Sequence, residues 1–220
     1  GTQHAPKLAR ILADRGLLHS YATGIAFPDT PGAWWWKAVK ALGKEKLLLK
    51  RVVPGLPAGK LHLQPVKEAV ALFRSQQLGQ GNDDVFYPRN KAFQEQLPQR
   101  LIDAADVVIG FDTSSWILAE RCRKAGKPFV LDASIAHPLA KEKVYEQLRL
   151  QYPEWAKELA PKQPHLIEAE LREIEAASHI VVASAFTKKT YTDHGVSPEK
   201  ITVNPYGTDL KIPNKQIPKQ

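Results

Sequence analysis

Hydrophobic positions follow two patterns along the chain, which together predict helices that alternate with short strands. In the first stretch, Leu8, Ile11 and Leu12 recur at helical spacing, and Gly16 suits the residue after a helix. Short apolar runs instead indicate strands, and those at 106–111 and 127–131 are expected to be buried on both faces. Helices are predicted at 5–18, 34–50, 65–78, 89–104, 114–125, 166–177 and 185–194. Strands are predicted at 19–25, 106–111, 127–131, 179–183 and 201–205.

Strands that alternate with helices in this way are typical of βαβ units and a parallel sheet. The predicted fold is therefore α/β, a Rossmann-like parallel sheet with helices on both faces. Residues 1–4 run directly into the first helix, so we expect the first strand of the sheet to be missing from this sequence. Residues 151–164 are predicted to form a long excursion, and 210–220 a linker that follows a single domain over 1–209.

Composition and charge narrow the classes of partner. The chain has 220 residues, a net charge of +8 and one cysteine, Cys122. A lone cysteine excludes an internal disulfide and favours a reducing, cytoplasmic compartment. The positive charge favours nucleic acid, anionic lipid or a phosphorylated metabolite, although a solvated basic surface explains it equally well. No nucleic-acid-binding motif accompanies the basic residues, so nucleic acid is not expected as a partner.

The segment 34–51 contains three tryptophans, six basic residues and one acidic residue. Helices that lie on membrane surfaces combine tryptophan and leucine with lysine and arginine in this way. The segment is therefore a candidate for peripheral attachment to an anionic membrane. The alternative is a core helix with one basic, solvated face.

Small polar residues follow the predicted strands, at the edge where parallel sheets bind ligands. They are Gly1, Thr2, Gln3 and His4; Asp112, Thr113, Ser114 and Ser115; Asp132, Ser134 and His137; Ser184 and Thr187; and Tyr206, Gly207, Thr208 and Asp209. We predict a substrate crevice at this edge. The alternative for the serines is that they cap helices, which is compatible with a ligand at the same helix ends.

His137 is the most distinctive of these residues, because it follows a buried strand and precedes Pro138. Its imidazole could donate a hydrogen bond to a sugar hydroxyl or act as an acid or base, or it could be an ordinary loop histidine. Histidine and cysteine show no zinc spacing, and the glycines form neither a dinucleotide fingerprint nor a phosphate-binding loop. No metal and no bound cofactor are therefore expected.

A resemblance to a known family appears in the last third of the chain. Residues 168–190 read Glu-x-Glu-Leu-Arg-Glu-Ile-Glu-Ala-Ala-Ser-His-Ile-Val-Val-Ala-Ser-Ala-Phe-Thr-Lys-Lys-Thr, and 194–209 read His-Gly-Val-Ser-Pro-Glu-Lys-Ile-Thr-Val-Asn-Pro-Tyr-Gly-Thr-Asp. This order is similar to the end of the N-terminal domain in GT-B glycosyltransferases of family 4. Residues 111–132 and the opening of the chain resemble the same family.

The resemblance implies a two-domain enzyme that transfers a sugar from a nucleoside diphosphate sugar to an acceptor hydroxyl, with retention of configuration and without a metal. The N-terminal domain binds the acceptor, and a C-terminal domain, absent from this sequence, binds the donor. Residues 1–4 would approach the donor phosphates and the acceptor. His137 would contact the transferred sugar, with Asp132 beside it as the second candidate catalytic residue. Tyr206 and Gly207 would lie near the hinge between the domains.

This interpretation predicts that the chain alone is inactive and that a basic crevice stabilises the departing diphosphate. Two alternatives remain open. One is a stand-alone Rossmann-like module that binds an anionic metabolite or a membrane surface. The other is a GT-B nucleotide-sugar epimerase, which would need no acceptor.

Overall fold

The computed structural model describes residues 4–28, 52–53, 55–65, 83–156 and 159–207. Its helices are α1 (Ala5–Asp14), α2 (Asp83–Glu95), α3 (Gln99–Asp103), α4 (Trp116–Lys124), α5 (Pro138–Gln151), α6 (Pro164–Ala176) and α7 (Ala185–Thr192). Its strands are β1 (Tyr21–Thr23), β2 (Phe27–Pro28), β3 (Val52–Val53), β4 (Leu61–Leu63), β5 (Val108–Phe111), β6 (Phe129–Ala133), β7 (His179–Val182) and β8 (Ile201–Val203). Short 3₁₀ helices lie at Ala58–Lys60 and Pro198–Lys200. The predicted elements at 34–50 and the linker at 210–220 lie outside the described residues, as does all but the start of 65–78.

The main sheet consists of β5, β6, β7 and β8 in that order, and all neighbouring strands are parallel. Its register aligns Phe111 with Asp132, and Asp132 with Val181. Helices α4, α6 and α7 pack against the sheet. Parallel strands joined by helices confirm the predicted α/β, Rossmann-like fold. This arrangement brings the ends of all four strands to the same edge.

One face of the sheet forms the main core. Along β6, Phe129, Leu131 and Ala133 are fully buried, whereas Val130 and Asp132 between them are only half-buried. The prediction that this strand is buried on both faces was therefore wrong. The alternation matters for the site, because it turns Asp132 away from the core.

Gly110 is needed where β5 crosses this core. A Cβ atom there would lie 2.5 Å from both the Phe129 ring and the Ser115 hydroxyl. Only glycine lets the strand approach its neighbours this closely.

The N-terminal part forms a smaller unit. Strand β1 pairs with β4 and β2 with β3, both in parallel. Ala9 of α1 packs there with Ala26, Val53 and Leu56. Helix α1 ends at Asp14, before the predicted bound of 18, and Gly16 follows it with a positive φ of 70°, as predicted for the residue after a helix.

The helices of the structure differ from the predicted ones in two further places. The single helix expected at 89–104 is divided into α2 and α3. Pro98 has no backbone N–H to donate and disfavours a helical backbone conformation at Leu97. The connection after β6 contains the helix α5, which the sequence did not predict. The described residues between α5 and α6 contain no helix or strand, in agreement with the excursion predicted at 151–164.

Candidate functional site

Four segments that are distant in sequence meet at the carboxyl edge of the sheet. They are the start of α1, the end of β5, the end of β6 and the chain just after β8. The His4 imidazole lies there with its Nε2 atom 3.2 Å from Oδ2 of Asp132. Its ring packs against those of Phe111 and Tyr206, with both ring centroids at 5.3 Å. We call His4, Phe111, Asp132 and Tyr206 the edge cluster.

The carboxylate and imidazole of this cluster are neither fully buried nor free in solvent. The side chain of Asp132 is 16% exposed and that of His4 is 28% exposed. Burial raises the pKa of Asp132, His4 lowers it, and nearby Asp112 raises it, with a net upward shift. The contact between His4 and Asp132 is close but lacks hydrogen-bond alignment, and Nε2 makes no other bond. Because Nε2 is buried yet unpaired, a ligand hydroxyl that entered the cluster would find this hydrogen-bonding group unsatisfied.

Asp112 holds the loop after β6 in place. Its Oδ2 atom accepts hydrogen bonds from the backbone amides of Ser134, at 2.8 Å, and Ile135, at 3.0 Å. The Ser134 hydroxyl also donates to this carboxylate, at 3.0 Å. Asp112 thus links the end of β5 to the loop that borders the edge cluster.

Backbone amides of the turn between β5 and α4, and of the first turn of α4, donate hydrogen bonds to side chains of the protein itself. The amides of Thr113 and Ser115 donate to the carboxylate of Glu173 on α6. Further along the chain, the amides of Ile117 and Leu118 donate to Oε1 of Gln94 on α2, at 2.8 and 3.1 Å. Thr113 itself adopts a positive φ of 65°. An anionic ligand would find these amides already occupied.

The serines of this turn do not cap α4. The hydroxyls of Ser114 and Ser115 donate back to the carbonyl of Phe111, and the Phe111 amide donates to Ser115 Oγ. The capping alternative was therefore wrong for these two residues. It was right for Ser184, which accepts a hydrogen bond from the Thr187 amide at 3.0 Å and caps α7.

His137 lies away from solvent at the start of α5. It is 3% exposed, its ring stacks on His194 at 4.5 Å, and Tyr191 meets it edge-on. Burial, with a smaller contribution from His194, lowers the pKa of His137 to about 4. The imidazole is therefore neutral at physiological pH, and its Nδ1 atom makes no hydrogen bond. Its predicted catalytic role stays a prediction.

The other residues predicted for the site lie in an exposed segment, in a helix cap or outside the described residues. Gly207 follows Tyr206 in an exposed segment, and nothing lies within 4 Å of where its Cβ would be. Thr187 is buried in the cap of α7. Gly1, Thr2, Gln3, Thr208 and Asp209 lie outside the described residues.

Sequence reasoning missed Glu173, Gln94 and the aromatic contact of Phe111. Nothing in the local pattern marks a glutamate 60 positions away as the partner of Thr113. A weak signal existed, because Glu173 falls on the apolar face of α6 beside Ile174 and Ala169. A charged residue on such a face requires a buried partner.

The edge cluster and the adjoining loop present two carboxylates, an imidazole, hydroxyls and two aromatic rings. Such groups hydrogen-bond hydroxyls and cover the apolar face of a ring. The prediction of a basic crevice does not describe this set, because its ionisable groups are two acids and a histidine. The cluster suits a neutral, polyhydroxylated ligand better than a diphosphate.

Comparisons with known proteins give no family assignment: no family model matches the chain, and no curated protein does. Among the described residues, no group of three or more histidine, cysteine, aspartate or glutamate side chains could hold a metal ion. In the same part of the chain, no helix combines the length and the apolar character needed to cross a membrane.

Proposed function

We propose that this chain is the acceptor-binding domain of a retaining glycosyltransferase that transfers a sugar from a nucleoside diphosphate sugar to an acceptor hydroxyl. The observation that carries the proposal is the edge cluster, where the His4 ring contacts those of Phe111 and Tyr206 and its Nε2 atom lies 3.2 Å from Asp132 Oδ2. The Rossmann-like sheet supports it, because ligands of such sheets bind at the ends of the strands. The resemblance of residues 168–209 to family 4 enzymes supports the reaction class.

In the proposed reaction, Asp132 accepts a hydrogen bond from the acceptor hydroxyl and holds it toward the donor. A carboxylate with a raised pKa can also take up the proton that the hydroxyl loses. His4 stabilises the ionised carboxylate, and Tyr206 covers one face of the sugar ring. This domain then contributes mainly by positioning the acceptor. Stabilisation of the departing diphosphate falls to the donor-binding domain that we expect in the whole enzyme.

Ligand-observed NMR on the full chain tests the proposal. Neutral methyl glycosides should show saturation transfer with the wild type and lose it with Asp132→Asn and His4→Gln. Asp106→Asn and His19→Gln are matched controls, because both residues are exposed, and these variants should bind as the wild type does. Binding of nucleoside diphosphate sugars without glycosides would favour the epimerase. Binding to anionic vesicles alone would favour the stand-alone module.

The gene offers a second test. The DNA that flanks the coding segment should encode a hydrophobic strand before Gly1. It should also encode, downstream, a second domain with a glycine-rich turn and a Glu-x7-Glu motif. A transfer assay on the whole open reading frame should then give a product with retained configuration, dependent on both donor and acceptor. Donor turnover that needs no acceptor would contradict the proposal.

A further inference from the structure

The start of α4 contains a buried carboxyl group that belongs to the protein itself. Glu173 is 1% exposed and reaches across from α6 to the turn after β5. Its Oε2 atom accepts the Thr113 amide at 2.9 Å, and its Oε1 atom accepts the Ser115 amide. The amino end of a helix carries partial positive charge and attracts anions. The Glu173 carboxylate occupies the position that a ligand phosphate takes at other helices of this kind.

The same turn governs the geometry of the candidate site. Thr113, held by Glu173 in the left-handed region, directly follows Asp112. Asp112 binds the amides of Ser134 and Ile135 in the loop after β6. A left-handed threonine is unfavourable by itself and persists because its surroundings fix it. Loss of the Glu173 contacts should therefore move Asp112 and the loop with it.

We propose that Glu173 is a positioning residue of the candidate site, whose carboxylate fills the amino end of α4 and fixes the loop 134–135 through Asp112. The consequence for sugar binding rests on the proposed function. The consequence for the loop rests only on the hydrogen bonds.

Several ionisable groups surround Glu173 and set when it is charged. Asp112 from the turn, Glu170 from its own helix and Tyr191 from α7 line the same small pocket. Glu170 is in turn paired with Lys162, which precedes α6. Burial and the charges of Asp112 and Glu170 raise the pKa of Glu173 to about 8, and the two amide bonds oppose this shift. The contacts of Glu173 should therefore strengthen as the pH rises through 8 and the carboxyl ionises.

Amide NMR on the full ¹⁵N-labelled chain tests the proposal without any sugar or nucleotide. In Glu173→Ala, the resonances of Ser134 and Ile135 should shift along with those of Thr113 and Ser115. Added sodium acetate should bind in the vacated position, shift Thr113 and Ser115 saturably, and return Ser134 and Ile135 toward their wild-type positions. Wild type and Glu175→Ala, which alters an exposed glutamate of the same helix, should show no saturable acetate effect at these amides.

The conservative variant keeps the test valid if the alanine variant does not fold. In wild type, the four amides should titrate together with an inflection near pH 8, and in Glu173→Gln they should not. Two results would overturn the proposal. Unshifted Ser134 and Ile135 in both variants would show that the turn does not position the loop. Acetate without effect on Thr113 and Ser115 in a folded alanine variant would show that Glu173 does not fill an anion position. Neither result bears on whether glycosides bind.

Discussion

The turn after β5 and the edge cluster both lie at the same edge of the sheet, yet their polar groups are used in opposite ways. In the turn, the amides of Thr113 and Ser115 are taken by a carboxylate that is 1% exposed. In the edge cluster, Asp132 remains partly exposed beside His4, and Tyr206 is 57% exposed. The first region is closed by the protein itself, whereas the second leaves a buried imidazole nitrogen unpaired beside a partly exposed carboxylate and an exposed tyrosine.

This difference shows that small polar residues after parallel strands serve two distinct purposes. Where a buried side chain from another helix completes the hydrogen bonds, the residues stabilise the fold. Where the groups stay partly exposed and imperfectly paired, they remain available to a ligand. Substitutions in the turn should therefore reduce stability, and substitutions in the edge cluster should reduce binding.

The largest expected effect is the loss of Glu173. Glu173→Ala leaves the buried Ser115 amide and the partly buried Thr113 amide without their acceptor, and we expect a decrease of about 3 kcal/mol in the free energy of unfolding. Urea denaturation followed by tryptophan fluorescence measures it. Glu175→Ala on the exposed side of α6 should change stability by less than ~0.5 kcal/mol. A decrease in unfolding free energy below about 1 kcal/mol for Glu173→Ala would mean that water can replace the carboxylate as acceptor. The amides of the turn would then not depend on the protein's own side chains.

The pH dependence of stability gives the next largest effect. The folded-state pKa of Glu173, about 8, lies above the ordinary value of 4.5, so the folded protein binds the proton more tightly than the unfolded chain. The stabilisation from this proton is complete below pH 4.5 and is lost as the pH rises through 8. The pKa of His137 is lowered to about 4, so its contribution to the stability of the protein increases with pH only up to its ordinary pKa of 6.5. Between pH 6.5 and 8, the change in unfolding free energy caused by Glu173 is therefore not offset by His137.

Across that window we expect the wild type to lose up to ~2 kcal/mol relative to Glu173→Gln, at about 1.4 kcal/mol per pH unit. Urea denaturation at several pH values, with both proteins in the same buffers, measures the difference. Parallel curves for the two proteins would show that Glu173 does not titrate in this range.

Asp112 connects the two regions, and its substitution should have a smaller effect. Asp112→Asn keeps one acceptor but loses the charge that strengthens the bonds to Ser134 and Ile135, so we expect a cost of about 1 kcal/mol. Glycoside binding should weaken as well, because the loop beside Tyr206 is less firmly held. Asp103→Asn, at an exposed aspartate on α3, serves as the matched control. Weakened binding with unchanged stability would place Asp112 in the ligand site itself.

Sequence patterns predicted the sheet well because its strands are short apolar runs whose burial is a local property. Helix α5 was missed because its exposed face carries apolar residues, Leu139 and Leu150 among them, which obscure the amphipathic period. The strand-end rule directed attention to His4, Asp132 and Tyr206, but it could not show that they contact one another. Their contacts join residues more than a hundred positions apart, and no spacing along the chain encodes such pairs.

The smallest effect on stability should come from the edge cluster, where the two regions are most sharply distinguished. The contact between His4 and Asp132 is partly exposed and poorly aligned, so His4→Gln and Asp132→Asn should each change the unfolding free energy by less than ~0.5 kcal/mol. The Asn variant also relieves the cost of burying a charge near Asp112. If the cluster binds the acceptor, the same variants should weaken glycoside binding about tenfold or more, equivalent to ~1.4 kcal/mol. Denaturation and ligand titration on the same samples separate the two quantities. A stability loss above about 2 kcal/mol with glycoside binding intact would assign the cluster to the fold, since that is the size expected for a buried hydrogen-bonded pair.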